Sequence, residues 1–566
     1  MLNAQWPLLK LRIANCALWV LLLTACARAT STLLAPPAPS PTFLPALAPT
    51  PGPTPLPTPT AGPRTFTIGL AAAPGTLDPA QAVDESALLI TRHLYEGLTA
   101  YTPGTTRVVP ALADSWTSTD SLTWTFHLRP DARFSDGTPL TARTVALNFQ
   151  RWLTQSPSGD YAFWRLMFGG FAGEADENGY PLARLAAVAA PDDSTLVLTL
   201  TQPDASLPNT LAMPSFAIVK PTAFADLAFG SPRANSAGGG PYLLFAWTPE
   251  NIVHLIRNPN YWGAAPLPDE LVFKVIPDDT QRLLALQVGE IEGMAHLNPK
   301  DYNADGQHHT RVVFDPALTT LYLGFNQAHA PWNNLDCRLA VAYALDKQRY
   351  VQQFFPGDAD VALALQPPAT WGYPSAPQDY PHDLARAAQH WQACPKKDLP
   401  EAITLYVPPI PRAYLPDPQL GSAIQADLLT VGLSVTLASP DWSNFLSDVH
   451  AGRADLFLLG WTGVNGDPDN FLCPLFCGTE AAFNADPSGQ PLPPDDELAQ
   501  RLLAARADSD PVAREALYAQ AHARLFAVVP ALPLVHRRTA WAFRDNLTGY
   551  VPSPIENLFF NLSFTP

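Results

Sequence analysis

The stretch DLFLLGWTGVNGDPDNF, residues 455–471, joins a strand pattern to a polar loop. Its first residues are almost all apolar, which is typical of a strand buried within an α/β sheet. The following GWTGVNGDPDNF holds two carboxylates, two asparagines and three glycines around the apolar Val464. In open α/β sheets ligands sit on loops that leave the carboxyl ends of strands. The stretch therefore predicts a candidate binding loop.

Strand and helix patterns alternate through the rest of the chain after Arg64. TFTIGLA (residues 65–71) alternates as a strand does, WTFHLRP (124–130) is a second strand, and a long helix is predicted from about Cys337 to Phe355. A chain of 566 residues is too long for one hydrophobic core, so two or three domains are expected. The pattern predicts a mixed α/β fold.

The charge balance restricts the possible partners. Hydrophobic residues make up 47% of the chain, which argues against global disorder, and the formal net charge is -17. Such a chain has no basic stripe with which to neutralise phosphates, so nucleic acid is not expected as a partner.

The first 25 residues are predicted to be an export signal. Lys10 and Arg12 precede an apolar run, residues 13–23, that is short for a bilayer span. The run leads to LTAC (23–26), which resembles the lipobox of bacterial lipoproteins and predicts lipidation of Cys26. The alternative is an ordinary signal peptide cut within a residue of Cys26.

Residues 26–63 are predicted to form a lipidated cysteine followed by a stalk. Of the chain's 62 prolines, 12 fall between Pro36 and Pro63, and such a run stays extended because proline fixes φ and removes donors. The chain is therefore expected to be exported and held at the outer face of the cell membrane or in the periplasm.

Four further cysteines favour disulfides. In an exported protein the short loop makes Cys473 and Cys477 the natural local pair, which leaves Cys337 with Cys394. The alternative is that all four cysteines bind one zinc ion, although this spacing is unusual for zinc.

Seven motifs occur in the order found in one known family. The motifs are PGTLDP (74–79), HLYEGL (93–98), PALADSW (110–116), WTFHLRPDARFSDGTPLTARTV (124–145), GGGPY (238–242), RNPNYW (257–262) and RLAVAYALDK (338–347). Together they resemble the family 5 extracellular solute-binding proteins, the dipeptide and oligopeptide receptors of ATP-binding-cassette (ABC) importers.

The resemblance implies a two-lobed periplasmic-binding-protein fold with an extra domain on the N-terminal lobe and a hinge between the lobes. Carried over, lobe I comprises residues 64–103, 235–318 and 530–566, the extra domain residues 104–234, and lobe II residues 319–529. It also implies a monomer without a cofactor that closes on a peptide and passes it to a membrane permease.

Two alternatives remain open for the function. The same receptor could be adapted to a non-peptide solute such as an oligosaccharide or a metal chelate. A surface hydrolase is the other alternative, but GxSxG, HExxH and GxxxxGK[ST] motifs are absent from the sequence. We therefore expect no catalytic residue and no resident metal.

In the dipeptide-binding branch an arginine pairs with the solute's carboxylate and a loop aspartate pairs with its ammonium. The PRAYLP segment (411–416) matches the first and assigns that role to Arg412, whose planar fork suits a carboxylate. The second position is occupied by Val464. Either another carboxylate, with Asp467 the first candidate, has taken over, or the solute has no ammonium to bury there.

Other candidates surround this position. Asn465, Asp467 and Asp469 remain in the loop as potential solute ligands, but the same residues are also typical of turns that bond their own backbone. Trp371, Trp442 and Trp461 are candidates for stacking on a solute, with core packing as the alternative for each.

Overall fold

A computed structural model describes residues 64–154, 161–226, 228–232, 237–399, 402–409, 418–477 and 496–565. These residues belong to one compact unit of the chain. The predicted mixed α/β fold is confirmed.

The strands of the described chain are named β1 to β19 in order. They are β1 Thr65–Leu70, β2 Thr99–Tyr101, β3 Val108–Pro110, β4 Ala113–Thr117, β5 Thr123–Leu128, β6 Leu185–Ala189, β7 Thr195–Leu200, β8 Tyr242–Thr248, β9 Ile252–Arg257, β10 Glu270–Val275, β11 Gly293–Ala295, β12 Thr310–Phe325, β13 Ala359–Val361, β14 Ile403–Tyr406, β15 Val435–Ala438, β16 Leu456–Thr462, β17 Ala531–Arg544, β18 Leu547–Thr548 and β19 Ser563–Phe564.

The α-helices are named in the same way. They are α1 Glu85–Leu94, α2 Ala142–Thr154, α3 Ala162–Phe168, α4 Leu207–Leu211, α5 Asp279–Gln287, α6 Leu335–Ala344, α7 Lys347–Phe354, α8 Leu384–Ala393, α9 Pro418–Thr430, α10 Trp442–His450, α11 Asp469–Phe476, α12 Asp496–Ala507 and α13 Pro511–Val528. In the described part of the chain, none of these helices is long and apolar enough to cross a membrane.

One large sheet runs through most of the molecule. Its strand order is β15-β14-β16-β12-β17-β11-β1-β10-β9-β8, and β13 pairs with β17 outside this path. The two longest strands, β12 and β17, therefore join one half of the sheet to the other. A separate four-stranded sheet, β4-β5-β7-β6, lies within the range expected for the extra domain.

The pairing of β12 with β17 is interrupted in the middle. Residues 310–316 pair with residues 544–538, the register then shifts between Pro316 and Thr320, and pairing resumes along residues 320–324. Proline cannot donate a ladder hydrogen bond, so Pro316 marks a natural interruption of a strand. At residues 316–320 the pairing of the two strands is thus irregular, where both pass from one half of the sheet to the other. We call this position the crossing point of β12 and β17, and it is the position expected of a hinge.

The long helix predicted from Cys337 to Phe355 is wrong as a single element. The chain forms α6 and α7, separated at Leu345 and Asp346. Leu345 is extended, with ψ 127°, and the Asp346 side chain accepts a hydrogen bond from the Arg349 N–H. An aspartate in this position caps a new helix. The chain therefore forms two helices where the apolar periodicity suggested one.

The four cysteines are joined in two disulfides, Cys337 with Cys394 and Cys473 with Cys477. These are the pairs that the sequence favours. With their sulfurs joined, the cysteines cannot serve as the four thiolate ligands of a zinc site.

Candidate functional site

A cleft with a volume of about 370 Å³ lies beside the crossing point of β12 and β17. We call it the hinge cleft. Its walls come from α1, the middle of β12, the end of β16, β17 and a C-terminal segment; the residues used below are Glu85, Leu88, Arg92, Asp315, Thr462, Gly463, Val464, Trp541, Ser553, Ile555 and Asn557. A cavity of this size and position suits a small solute held between moving halves.

The 463–470 loop leaves the end of β16, as the sequence predicts, and is fixed by hydrogen bonds of its own. The Asn465 side chain accepts from the Asp467 N–H at 3.0 Å, and Asp467 accepts from the Asp469 N–H at 2.9 Å. Gly466 has φ +68° and packs where a Cβ would lie 2.6 Å from Thr106. The turn interpretation of these polar residues is therefore the one that the geometry supports.

Asp467 is not available to a solute. It is completely buried, and its carboxylate receives two hydrogen bonds from the Arg514 guanidinium, at 2.8 and 3.0 Å. Arg514 is itself buried and lies over the Trp371 ring at 4.9 Å. The idea that Asp467 replaces the missing ammonium ligand is therefore corrected: its charge is already neutralised by α13.

Asp469 has a partner of the same kind. Arg506 on α12 binds its carboxylate with three contacts of 2.9 to 3.2 Å. Burial raises the pKa of the Asp469 carboxyl above its usual value, although the Arg506 charge opposes this. Both loop carboxylates thus hold the loop to the C-terminal helices.

Asn465 ties the loop to a distant part of the chain. Its backbone carbonyl accepts hydrogen bonds from the Tyr101 hydroxyl at 3.0 Å and from the Asn209 amide at 3.2 Å, and its own amide contacts the Thr210 hydroxyl at 3.2 Å. Asn465 is completely buried. Its role in the structure is to join residues far apart in sequence.

Val464 is the loop side chain that lines the hinge cleft. It packs against the hydrophobic cluster that contains Trp164 and Met213, and its N–H donates to the Asn470 side chain at 2.8 Å. The loop therefore presents an apolar wall to the cleft at the position where the family resemblance places an ammonium-binding aspartate.

The three tryptophans pack against one core cluster and are not among the residues that line the hinge cleft. Trp442 stacks on Phe445, with ring centroids 5.5 Å apart, and the Trp461 N–H donates to the Asn470 carbonyl at 2.7 Å. Trp371 makes an edge contact with Tyr518 at 5.7 Å. These contacts fit the core-packing alternative, and stacking on a solute stays a prediction for each tryptophan.

Arg412 and Cys26 lie outside the described residues. Their assigned roles stay predictions, as does the division of the chain into lobes at particular residues.

The structure also brings forward two charged residues that the sequence did not single out. Arg92 on α1 lines the hinge cleft, and its guanidinium donates to the Leu88 carbonyl at 3.2 Å and to the Ile555 carbonyl at 2.7 Å. Burial lowers the pKa of the Arg92 guanidinium below its usual value, and the charges of Glu556 and Glu85 offset this only in part. Within the described ranges, no carboxylate forms an ion pair with it.

Asp315 is the second of these residues. It lies one position before Pro316 on β12, lines the hinge cleft and is 3% exposed. Its carboxylate accepts from the Tyr550 hydroxyl at 2.5 Å, the Asn557 amide at 2.6 Å and the Ser553 N–H at 3.3 Å. Burial raises the pKa of Asp315 to about 6 against these donors. All three donors are neutral.

Glu85, the third charged group of the cleft, already has a partner in His296. Both oxygens of Glu85 lie within 2.7 Å of the His296 ring nitrogen, and the pKa of Glu85 is lowered by this contact although burial opposes the change. A sequence signal could have found Asp315, because a charged residue and a proline interrupt an apolar strand there. Arg92 had no such signal.

Comparisons with known proteins agree with this geometry. Residues 107–483 match the family described as bacterial extracellular solute-binding proteins, family 5 middle. The dipeptide-binding protein of Escherichia coli (strain K12) is 31% identical over 487 residues, which cover 83% of this chain and 89% of that protein. Di/tripeptide-binding protein 4 of Pseudomonas aeruginosa (strain UCBPP-PA14) is 32% identical, with 82% and 88% covered.

A solved structure, that of HbpA2 from Haemophilus parasuis, superimposes with a TM-score of 0.79 at 26% identity and covers 89% of this chain and all of that one. The expected two-lobed fold of periplasmic binding proteins is thereby confirmed. The comparisons point to a binding protein rather than an enzyme, as the absence of catalytic motifs suggested. The chain belongs to the family 5 extracellular solute-binding proteins, which serve ABC importers.

Proposed function

We propose that this protein binds short peptides in the hinge cleft and delivers them to an ABC permease. The observation that carries the proposal is the position of the cleft, which lies where β12 and β17 cross between the halves of the large sheet. Bending at such a crossing point closes one half on the other and surrounds a solute. Two relatives of about 30% identity are named for di- and tripeptide binding, which supports peptides as the class.

The first experiment identifies the solute. Protein purified without denaturation is examined by native mass spectrometry, before and after incubation with a mixed library of di- and tripeptides. We expect retention of short peptides at one per chain, with the peptides recovered intact. Retention of no library member would contradict the peptide proposal, and a hydrolysed library would favour the surface hydrolase.

The second experiment measures closure. Small-angle scattering with and without the best-retained peptide should show a smaller radius of gyration for the loaded protein. An unchanged profile with bound peptide would mean that the crossing point of β12 and β17 does not act as a hinge.

Delivery from a membrane surface follows from the lipobox-like LTAC and the proline-rich residues behind it. We propose that Cys26 is lipidated and that residues 26–63 hold the binding domain away from the bilayer. Cys26→Ser should abolish incorporation of a labelled fatty acid and move the protein out of the membrane fraction. Continued labelling of the Cys26→Ser protein would disprove the anchor.

The family resemblance assigns the solute's carboxylate to Arg412, which lies outside the described residues. If Arg412 is that ligand, Arg412→Ala will weaken a peptide with a free carboxylate by about 2 to 5 kcal/mol in calorimetry, because truncating one partner of a buried charge pair costs that much. An unchanged affinity would remove Arg412 from the site.

A further inference from the structure

The hinge cleft contains two charges of opposite sign, the half-buried Arg92 and the buried Asp315, and neither forms a salt bridge with any residue that the structure describes. Both line the same cleft, and the same C-terminal segment, residues 553–557, holds both. Ile555 accepts from Arg92, whereas Ser553 and Asn557 donate to Asp315. The segment therefore holds a cation and an anion that line one cavity.

The charge of Arg92 is offset only in part by Glu556 and Glu85, which form no salt bridge with it, and Asp315 is held only by neutral donors. Taking an ion out of water is costly unless an opposite charge lies nearby. In the part of the chain that the structure describes, Arg92 bonds only to carbonyl oxygens and Asp315 only to neutral donors. The incomplete compensation agrees with the lowered pKa of Arg92 and the raised pKa of Asp315. A solute that carries both charges would complete both pairs.

The chemistry of each residue fits one end of such a solute. The guanidinium has five N–H donors in a planar fork, and two carbonyls hold it in place, so the remaining donors can meet a carboxylate. The Asp315 carboxylate is acceptor-only when ionised and can add an ammonium to its neutral donors. Glu85 is a weaker candidate for the ammonium because His296 already occupies both of its oxygens.

We propose that the hinge cleft binds a zwitterionic solute, with its carboxylate on Arg92 and its ammonium on Asp315. This rests on the proposed function and names the groups that recognise the peptide's two ends. It also gives Val464 a role: the ammonium ligand has moved from the 463–470 loop to β12, and the loop supplies an apolar part of the cleft wall.

The test uses the best-retained library peptide in four forms: free, N-acetylated, C-amidated, and blocked at both ends. Calorimetry on the wild type should show that amidation and acetylation each lower the affinity by at least about thirtyfold, because each leaves one buried charge unpaired. In Arg92→Gln, amidation should have no further effect while acetylation keeps its effect. In Asp315→Asn the pattern should be reversed.

This design separates recognition from structural damage. A variant that merely loosens the 553–557 segment weakens all four peptide forms equally, whereas loss of an anchor removes only one difference between forms. Asp315→Asn keeps an oxygen for Tyr550 and Asn557, and melting temperatures check that each variant folds. Arg143→Gln on α2 is the matched control, because its side chain is 75% exposed and is not among the residues that line the cleft; it should leave all four affinities unchanged.

Each outcome has a separate meaning. If the wild type retains no library peptide, the proposed function fails and this inference fails with it. If peptides bind but the effect of amidation persists in Arg92→Gln and disappears in Arg412→Ala, Arg412 is the carboxylate anchor and the assignment to Arg92 is overturned. If acetylation costs nothing in the wild type, the assignment of Asp315 is overturned.

Discussion

The 463–470 loop and the 553–557 segment border the same cleft, but their charged neighbours are satisfied in opposite ways. In the loop each aspartate has an arginine of its own, Asp467 with Arg514 and Asp469 with Arg506. Beside the 553–557 segment, Arg92 and Asp315 hydrogen-bond only to neutral groups, and the charges of Glu556 and Glu85 offset that of Arg92 only in part. The comparison teaches that a polar residue near a cavity is a candidate solute ligand only when its charge is not already paired within the protein.

The largest effect is expected from removing the internal partner of Asp467. Arg514→Met leaves Asp467 buried without a cation, so the free energy of unfolding should fall by about 3 to 5 kcal/mol. Denaturant unfolding of the empty protein measures it. Adding Asp467→Asn should recover part of the loss, because the stranded charge is then gone. A loss below about 1 kcal/mol would return Asp467 to the list of possible solute ligands.

A smaller effect is expected at the apolar wall. Val464→Asp places a carboxylate against the cluster around Met213 and Trp164, and should lower the free energy of unfolding by about 1 to 3 kcal/mol. Val464→Ala is the control for lost packing alone. If Val464→Asp is as stable as wild type and binds free peptides more tightly than acetylated ones by a larger factor than wild type does, the loop is still an ammonium site.

The affinity for a free peptide should depend on pH through the ionisation of Asp315. Burial raises its pKa to about 6, and only the ionised form attracts an ammonium. The affinity for a free peptide should therefore fall by about tenfold from pH 7 to pH 5. Calorimetry should show a flatter profile for the N-acetylated peptide and for Asp315→Asn.

Other groups near the cleft titrate in or near this range and set the background of that profile. Burial raises the pKa of Glu556 to about 7 beside Arg92, and the contact with Glu85 raises the pKa of His296. Protonation of Glu556 strengthens the positive field at Arg92, so it favours a carboxylate at low pH. If the affinity of Asp315→Asn for the free peptide falls as steeply from pH 7 to pH 5 as that of the wild type, these groups, rather than Asp315, control the affinity.

The smallest effect belongs to an exposed ion pair between Arg107 and Glu515 on α13. Arg107 and Glu515 are 3.6 Å apart, and both side chains are more than half exposed. Arg107→Ala should change the free energy of unfolding by less than about 1 kcal/mol. A loss as large as that of Arg514→Met would mean that burial does not distinguish the two pairs.

Much of the fold could be predicted from sequence because its signals are local. The predicted strand in residues 124–130 became β5, in which every second residue is buried, and the strand before the 463–470 loop became β16. The break between α6 and α7 was missed although Asp346 announced it, because apolar periodicity was given more weight than a capping residue. The helices α12 and α13 were not predicted at all.

The site was harder to predict because pairing is not local. The partners of Asp467 and Asp469 lie 47 and 37 residues away in the chain, on helices whose position depends on the whole fold. The sequence could show that Val464 lacks a charge, but it could not show that Asp467 had a cation of its own. Arg92 and Asp315 bond to Ile555 and Asn557, which lie 463 and 242 positions further along the chain. Nothing in the sequence around Arg92 or Asp315 indicates these partners.

The hydrogen bonds of Asn465 have a consequence for the rate at which the cleft opens. Its three hydrogen bonds to Tyr101, Asn209 and Thr210 do not involve the solute, yet opening the cleft about β12 and β17 must break them if the loop moves with its half of the sheet. Such bonds act as a latch: they slow the opening step whether or not the cleft is filled. The lifetime of the closed state would then depend partly on an asparagine whose three hydrogen bonds all lie within the protein.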